Sequence, residues 1–475
     1  MNFYKKGLSN FSYILLIISI VAIRFYFFNF DNDFWFTINQ GRYVINHSFP
    51  TFALNSIHDI DFLYQSWGTG TIFYSIYHNF GYIGIIFLLT IVSLLTSYYF
   101  YKLCYALSDN KNKSLKYTFF MMVLYTLFFL NTRPHIFTTL ILTIMLYLLE
   151  KYFKTKEKKY LYFLPVLSFI EVNMHGIYYM VLLIILLPYL IQTFKFKIFG
   201  IKSSGFEKKH LFIVYVLMIL SGFINPYGYK IFTYGFKSYF TSSLFRDSVV
   251  ELLAPNFHLF GGKIILISIL SIYIIYFIHY KKIMLRHFLL LLGTTYLALD
   301  AIKSYNFFFV CAIFPIPFLC ESRETEVRYS KMSDIIGGLL FMIFLGLVVG
   351  NLKNPDLPVT SKFIDYLDSV VIDKENIKLY TNYFDGSYAE YRGYNCYFDP
   401  RGEIFLKIKN QDNIVKEYYD LQENLIDYRD FLDKYQFDYL LLSKTDNLYL
   451  SLSRYGNDKY HLVMKDDDYM LFQKS

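Results

Sequence analysis

The chain has 475 residues, 55% of them hydrophobic and 18% charged; soluble domains run nearer about 45–50% and about 25%, so an ordinary water-soluble enzyme is excluded. The net charge of +8 would suit a nucleic-acid partner, but the lysines and arginines are concentrated in alternate loops. That alternation is the positive-inside rule of membrane proteins and implies no nucleic acid. The four cysteines form no CxxC pair and no disulfide framework.

The first apolar run, Phe11 to Phe30, has the length of about 20 residues that a bilayer crossing needs. Lys5 and Lys6 precede it and no small-residue cleavage site follows, so it reads as a retained helix with a cytoplasmic N-terminus. Asp31-Asn32-Asp33 stands at its far mouth, followed by Phe34-Trp35-Phe36. Two adjacent carboxylates repel, which raises one pKa and suits a general base, unless a cation is shared between them. A hard divalent ion, Mg²⁺ or Mn²⁺, would match such oxygens. The plainer reading is a solvated boundary that stops the span. In the loop beyond, His58-Asp59-Ile60-Asp61 reads as turn chemistry and, less so, as a ligand group.

Apolar runs between basic loops predict helices over 10–30, 69–101, 117–131, 135–150, 160–172, 176–194, 211–225, 262–279, 287–301, 304–320 and 333–350, the second divided at Gly81 into an interfacial piece and the span proper. The predicted fold is a polytopic α-helical membrane protein with about 11 transmembrane helices of roughly 20 residues each. Residues 1–350 form the multi-pass domain and 351–475 an extracytoplasmic α/β domain, which places the protein in the cell membrane in contact with its lipids.

Two of these hairpins are short. Tyr117 to Leu130 and Ile136 to Leu149 offer about 14 apolar residues each, roughly 21 Å of helix against a core of about 30 Å. Their basic inner ends snorkel, so the turn Asn131-Thr132-Arg133-Pro134-His135 falls below the outer surface. The next pair repeats this with Glu171, Asn173, His175 and Gly176. Irregular polar backbone at membrane depth lines a cavity or is buried in protein, and both turns point to a polar cavity open to the outside. Arg133 there must meet an anion: a phosphate, which its bidentate geometry fits, or a structural acid such as Glu171. Glu171 and His175, four apart, share a face if one helix runs through both.

Asn225-Pro226-Tyr227-Gly228 ends the seventh helix with ordinary stop signals. A long outer loop from Tyr234 to Phe260 carries Arg246, Asp247, Glu251 and Pro255 and reads as a substrate lid or a connector. In the tail, Ile377 to Thr381, Phe437 to Leu442, Lys459 to Val463 and Tyr469 to Phe472 predict strands, and Glu417 to Tyr435 an amphipathic helix. Asp399-Pro400-Arg401-Gly402 reads as a turn. No phosphate-binding glycine loop, HExxH or GxSxG pattern occurs in its proper context, which leaves a lipid-delivered substrate as the natural one for an enzyme.

Taken in order, these landmarks resemble a bacterial, mannosyltransferase-like branch of the GT-C superfamily of membrane glycosyltransferases. The resemblance runs through Asp31, Asp33 and Trp35; Gly41, Arg42, Tyr43 and Pro50; Ser66-Trp67; Arg133-Pro134-His135; Asn173 to Gly176; Asn225 to Gly228; Glu251 with Pro255; and Asp399 with Arg401. Ser66 stands where relatives carry an acid, and Tyr305-Asn306 where an Arg-Asn pair is common, with Lys303 as the nearest positive charge. The resemblance implies transfer of a hexose or pentose from a polyprenyl-phosphate carrier to an extracytoplasmic glycan, lipid or protein acceptor. It implies catalytic or metal-binding roles for Asp31 and Asp33. Substrate-binding roles follow for Trp35, Arg42, Trp67, Arg133, His135, Glu171, Asn173, His175, Asn225, Glu251 and Lys303. The competing expectations are a polymerase or ligase of lipid-linked polysaccharide, and a non-enzymatic transporter or scaffold of envelope glycan assembly.

Overall fold

The computed structural model describes residues 8–26, 30–195, 197–198, 201–203, 205, 207–239, 250–320, 338–339, 342, 357–406 and 413–475. The expected last span over 333–350 falls almost wholly outside these residues, as do Arg246, Asp247 and the basic loop residues Arg323, Arg328 and Lys331. In chain order the principal helices are α1 (Asn10–Tyr26), α2 (Asn32–Asn46), α3 (Trp67–Ser108), α4 (Lys111–Phe128), α5 (His135–Thr155), α6 (Leu164–Met174), α7 (Gly176–Gln192), α8 (Lys209–Ser221), α9 (Phe260–Ile278), α10 (Leu285–Asp300), α11 (Tyr305–Ile313), α12 (Ser361–Val370), α13 (Gly386–Arg392), α14 (Ile414–Gln422), α15 (Tyr428–Tyr435) and α16 (Asn447–Tyr455). The tail adds strands β1 (Lys378–Tyr380), β2 (Asn395–Cys396), β3 (Tyr439–Ser443), β4 (Tyr460–Lys465) and β5 (Tyr469–Lys474).

The chain divides into two compact units, the first comprising 1–28, 82–233 and 246–354, the second 29–81, 234–245 and 355–475. Among the described residues, four helical stretches are long and apolar enough to cross a membrane: Trp67–Ser108, His135–Thr155, Phe260–Ile278 and Ile302–Leu319. Asn10–Ala22, Gly176–Gln192 and Lys209–Ser221 are shorter apolar helices. Helix α3 is interrupted at Gly81, where φ is 60° and ψ −153°, a conformation that glycine adopts readily. Helix α5 runs to Thr155, beyond the predicted end at 150: Lys151 and Lys154 end the apolar stretch but favour helix, so the helix itself is not short.

The first unit is packed around helices α4 to α11. Its surface leaves Phe212, Ile267 and Phe277 exposed, as expected of side chains that face lipid. Among the described residues its interior holds a buried ion cluster. Arg286 donates through Nε to Glu150 Oε1 (2.9 Å) and through Nη2 to Glu150 Oε2 (2.6 Å). Tyr189 donates to the same carboxylate at 2.9 Å, and His287 Nε2 lies 2.9 Å from it. The fork geometry and the extra donors are what make a buried pair tolerable.

The second unit is built on a five-stranded mixed sheet in the order β2-β1-β3-β5-β4. Strands β1, β2 and β3 are parallel and β5 is antiparallel to both β3 and β4. The predicted helix over 417–435 is two helices. Asn424 takes a left-handed φ of 58°, and Asp427 then caps α15 by accepting from Arg429 N. Residues 30–81 belong to this same unit: Cys396 N donates to Asn55 O, Ile57 N donates to Cys396 O, and His58 Nε2 donates to Tyr397 O at 2.9 Å. His58 is thereby a structural hydrogen-bond donor, while Asp59 and Asp61 are exposed.

Candidate functional site

In the second unit, α2 begins at Asp31, whose Oδ1 accepts from Phe34 N at 3.0 Å. That is an N-cap, and Asp33 follows in the first turn, where the positive end of the helix dipole favours a carboxylate. Both carboxylates are half-buried. Helix α2 lies against the start of α3 at Gly41 and Gly70. A Cβ at Gly41 would sit 2.0 Å from the Gly70 carbonyl oxygen, and one at Gly70 2.6 Å from Thr37 O. Only glycine fits at this crossing, and the crossing positions Trp35 and Arg42. Trp67, the first residue of α3, packs edge-on against Phe49 at 5.0 Å.

Trp35 is buried, and its Nε1 has no hydrogen-bond partner. Its ring meets Tyr388 edge-on at 4.8 Å, Tyr391 at 5.4 Å and Tyr77 at 5.9 Å. Arg42 donates to Asn39 Oδ1 at 2.7 Å and stacks over the Tyr391 ring at 5.2 Å. Trp35, Arg42, Tyr77, Leu357, Tyr388, Tyr391 and Arg392 line a cavity of about 370 Å³. Of the residues named from the sequence, Trp35 and Arg42 line this cavity; Tyr388, Tyr391 and Arg392 line it too and were not named. Their spacing of three and four on one short helix face, stopped by Gly393 at φ 103°, was the available signal.

Arg392 is paired with Asp365 and Asp368. Burial works to raise the Asp368 pKa, but hydrogen bonds from Lys374 and Tyr394 and the charge of Arg392 outweigh it and hold the carboxyl below its ordinary value. Arg401 is buried and donates to Asp399 (2.9 Å from Nε, 2.7 Å from Nη2) and to Glu390 (2.8 Å). Burial, and then the charge of Asp399, push the Glu390 carboxyl well above its ordinary value. With its guanidinium over Phe36 and Phe62, the Asp399–Arg401 element is an internal latch that ties the 30–81 segment to the tail.

In the first unit, Arg133 sits in the turn before α5 and donates through Nη1 to Glu251 Oε1 at 2.5 Å. Its partner is therefore Glu251, not Glu171. Glu251 stands on the 3-10 turn Val250–Leu252, and Ile302 N donates to Leu253 O, which joins that turn to Ile302–Ser304, the turn bearing Lys303. His135 Nε2 donates to Phe129 O at 2.8 Å.

Helix α6 stops at Met174, and His175 is non-helical with φ −155°, so Glu171 and His175 are not on one helix face. Thr138 of α5 joins them instead. Its hydroxyl lies 2.6 Å from Glu171 Oε1 and 2.9 Å from His175 Nδ1. A hydroxyl has one proton, so whichever group it donates to, the other must donate to it or forgo the bond. Glu171 Oε2 is buried without a partner. Asn173 donates to Phe169 O and Ile224 O, and Asn225 closes its own turn by donating to Gly222 O and Gly228 O. Both asparagines hold backbone. Among the described residues no group of three or more His, Cys, Asp or Glu is placed to hold a metal.

No protein-family model and no curated protein matches the chain; solved structures do. An apo oligosaccharyltransferase from Archaeoglobus fulgidus aligns with 90% of this chain and 69% of its own, at 10% identity and a TM-score of 0.55. The same enzyme tethered to an acceptor peptide aligns with 97% of this chain and 74% of its own, at 11% identity and a TM-score of 0.55. A mutant of the arabinofuranosyltransferase AftD from Mycobacteria aligns with 99% of this chain and 42% of its own, at 10% identity and a TM-score of 0.60. The fold is like that of the GT-C membrane glycosyltransferases. At these identities the GT-C likeness is one of architecture, and residue roles rest on the chemistry of the sites themselves.

Proposed function

We propose that this chain is a membrane glycosyltransferase that moves a sugar from a polyprenyl-phosphate carrier to an extracytoplasmic acceptor. The observation that carries the reading is the GT-C-like fold over nearly the whole chain. In this reading the chain crosses the membrane about eleven times, each crossing taking roughly 20 residues. The N-terminus is cytoplasmic, and the tail beyond residue 350 is outside.

Asp33, or Asp31, takes the proton from the acceptor hydroxyl as it attacks the anomeric carbon, and the carrier phosphate leaves. Asp31 spends one oxygen on the α2 cap, and Asp33 is taken as the base. Arg133 contacts the carrier phosphate, exchanging part of its interaction with Glu251 for the incoming anion; a half-exposed carboxylate is easier to displace than a buried one. In this reading Glu171, His175 and Lys303, on helix ends and turns of the first unit, bind substrate, with Thr138 joining the first two. A divalent cation fits only in part: two half-buried carboxylates supply fewer ligands than Mg²⁺ needs, so waters and the carrier phosphate would complete its shell. Such a cation would neutralise charge on the departing phosphate. A polymerase or ligase would not specially need the acidic pair after α1. Mass spectrometry of surface glycans from cells with and without the gene tests the reading: one defined sugar should disappear without it. Identical glycans under conditions where the chain is expressed would overturn it.

A further inference from the structure

The cavity of the second unit has walls and charge of a particular kind. Three tyrosine rings and the Trp35 indole surround it, and an aromatic face is where the C–H face of a pyranose packs. Its volume of about 370 Å³ lies near the small end of ligand pockets, about 300–1,000 Å³, which suits one sugar or two. Polar groups remain available at the rim: among the described residues neither the Tyr77 nor the Tyr391 hydroxyl has a protein hydrogen-bond partner.

The two arginines differ. Arg392 is neutralised by Asp365 and Asp368. Arg42 has only the neutral Asn39 oxygen and the face of Tyr391, and among the described residues no carboxylate pairs with it. A guanidinium with a neutral neighbour, stacked on a ring and opening into a cavity, is set to receive an anion in fork geometry. A single unpaired positive charge beside aromatic walls fits a pyranose that carries one carboxylate.

We infer that this cavity binds an anionic sugar of the acceptor glycan, a uronic acid by chemical class, with Arg42 on its carboxylate and the partly exposed Tyr391 and Tyr77 beside its ring. The inference deepens the acceptor side of the transferase reading and rests on that reading for the word acceptor; the binding itself stands without any transfer. The full chain in nanodiscs, titrated with methyl glucuronoside, methyl glucoside and glucose 6-phosphate, tests it. Methyl glucuronoside should bind at least about tenfold more tightly than methyl glucoside. Arg42→Gln should remove that preference, Arg42→Lys should restore part of it, and Tyr391→Leu should weaken both glycosides. Polyprenyl phosphate should not displace the glucuronoside. Equal binding of charged and neutral sugars, no binding by the wild-type chain, a preference for glucose 6-phosphate, or displacement by polyprenyl phosphate would each overturn the inference. Sugar transfer measured on the same nanodiscs separates the two claims: transfer without glucuronoside binding would sink this inference alone, and binding without transfer would sink the transferase reading alone.

Discussion

Arg133 Nη1 and Glu251 Oε1 lie 2.5 Å apart although 118 residues separate them in the chain. Arg133 is one-quarter exposed and Glu251 half exposed. Exposed pairs of this kind contribute about 0.2–1 kcal/mol. Glu251→Gln should therefore cost no more than about 1 kcal/mol by thermal melt. Arg133→Lys keeps the charge, loses the fork geometry, and should weaken donor binding while the fold melts as before. A large ligand-independent fall in melting temperature for Arg133→Lys would make the residue structural and remove it from the phosphate role.

Asp31 and Asp33 separate by substitution. Asparagine caps helices about as well as aspartate, so Asp31→Asn should leave stability unchanged. General-base contributions run to about 10²–10⁴-fold. Asp33→Asn should lose rate in that range, and Asp31→Asn less. Full transfer activity in both variants at equal protein amounts would refute the assignment.

Gly41→Ala should be damaging, since its Cβ would overlap the Gly70 carbonyl at 2.0 Å; overpacking costs about 1–3 kcal/mol and more where backbone must move. Gly293 lies mid-helix with nothing within 4 Å of a built Cβ. Gly293→Ala should be neutral or stabilising by about 0.5–1 kcal/mol. Melting the two variants side by side checks the α2–α3 crossing directly.

Glu150→Gln should be among the most destabilising single changes in the first unit. It leaves the buried Arg286 guanidinium without its counter-charge, at a cost of about 3–5 kcal/mol. Adding Arg286→Met should recover much of the loss. If the double variant melts no higher than the single, the cluster is not an ion pair in the energetic sense.

Asp385 gives the tail a pH signature. Burial, chiefly, with the charge of Asp446, raises its pKa from 3.8 to about 7 against hydrogen bonds from Tyr469 and Asn382, and its Oδ2 has no partner. The folded tail then binds a proton more tightly than the unfolded chain. Its stabilising contribution is complete below the unfolded value of about 3.9 and is lost as pH rises to about 7. Melting of the full chain from pH 5 to 8 should show stability falling with pH. Asp385→Asn should flatten that slope and raise stability at pH 8; an unchanged slope would remove Asp385 as its source.

Much of the architecture was legible because it is local. Apolar runs between basic loops marked the helices, and short runs of apolar and aromatic residues marked β1, β3, β4 and β5. The turn holding Arg133 and His135 was visible from Pro134 and its polar neighbours. What stayed hidden is tertiary. Glu150 and Arg286 stand 136 residues apart in two unremarkable helix ends, and nothing local links Arg133 to Glu251. The packing of 30–81 with the tail rests on pairings such as Asn55 with Cys396, and Gly41 had no sequence reason until Gly70 lay against it. The break inside 417–435 was local but faint, since it rests on one left-handed Asn424.

The central claim, that the chain moves a sugar from a lipid-phosphate carrier, is tested most directly in proteoliposomes of the purified chain. Polyprenyl-phosphate hexoses and pentoses, labelled in the sugar, are supplied one at a time with a glycan acceptor mixture. The account predicts that label from one carrier moves to acceptor, leaves free polyprenyl phosphate behind, and stays on the carrier with Asp33→Asn. Label that stays on every carrier, or that moves only when a nucleotide sugar is supplied, would contradict it.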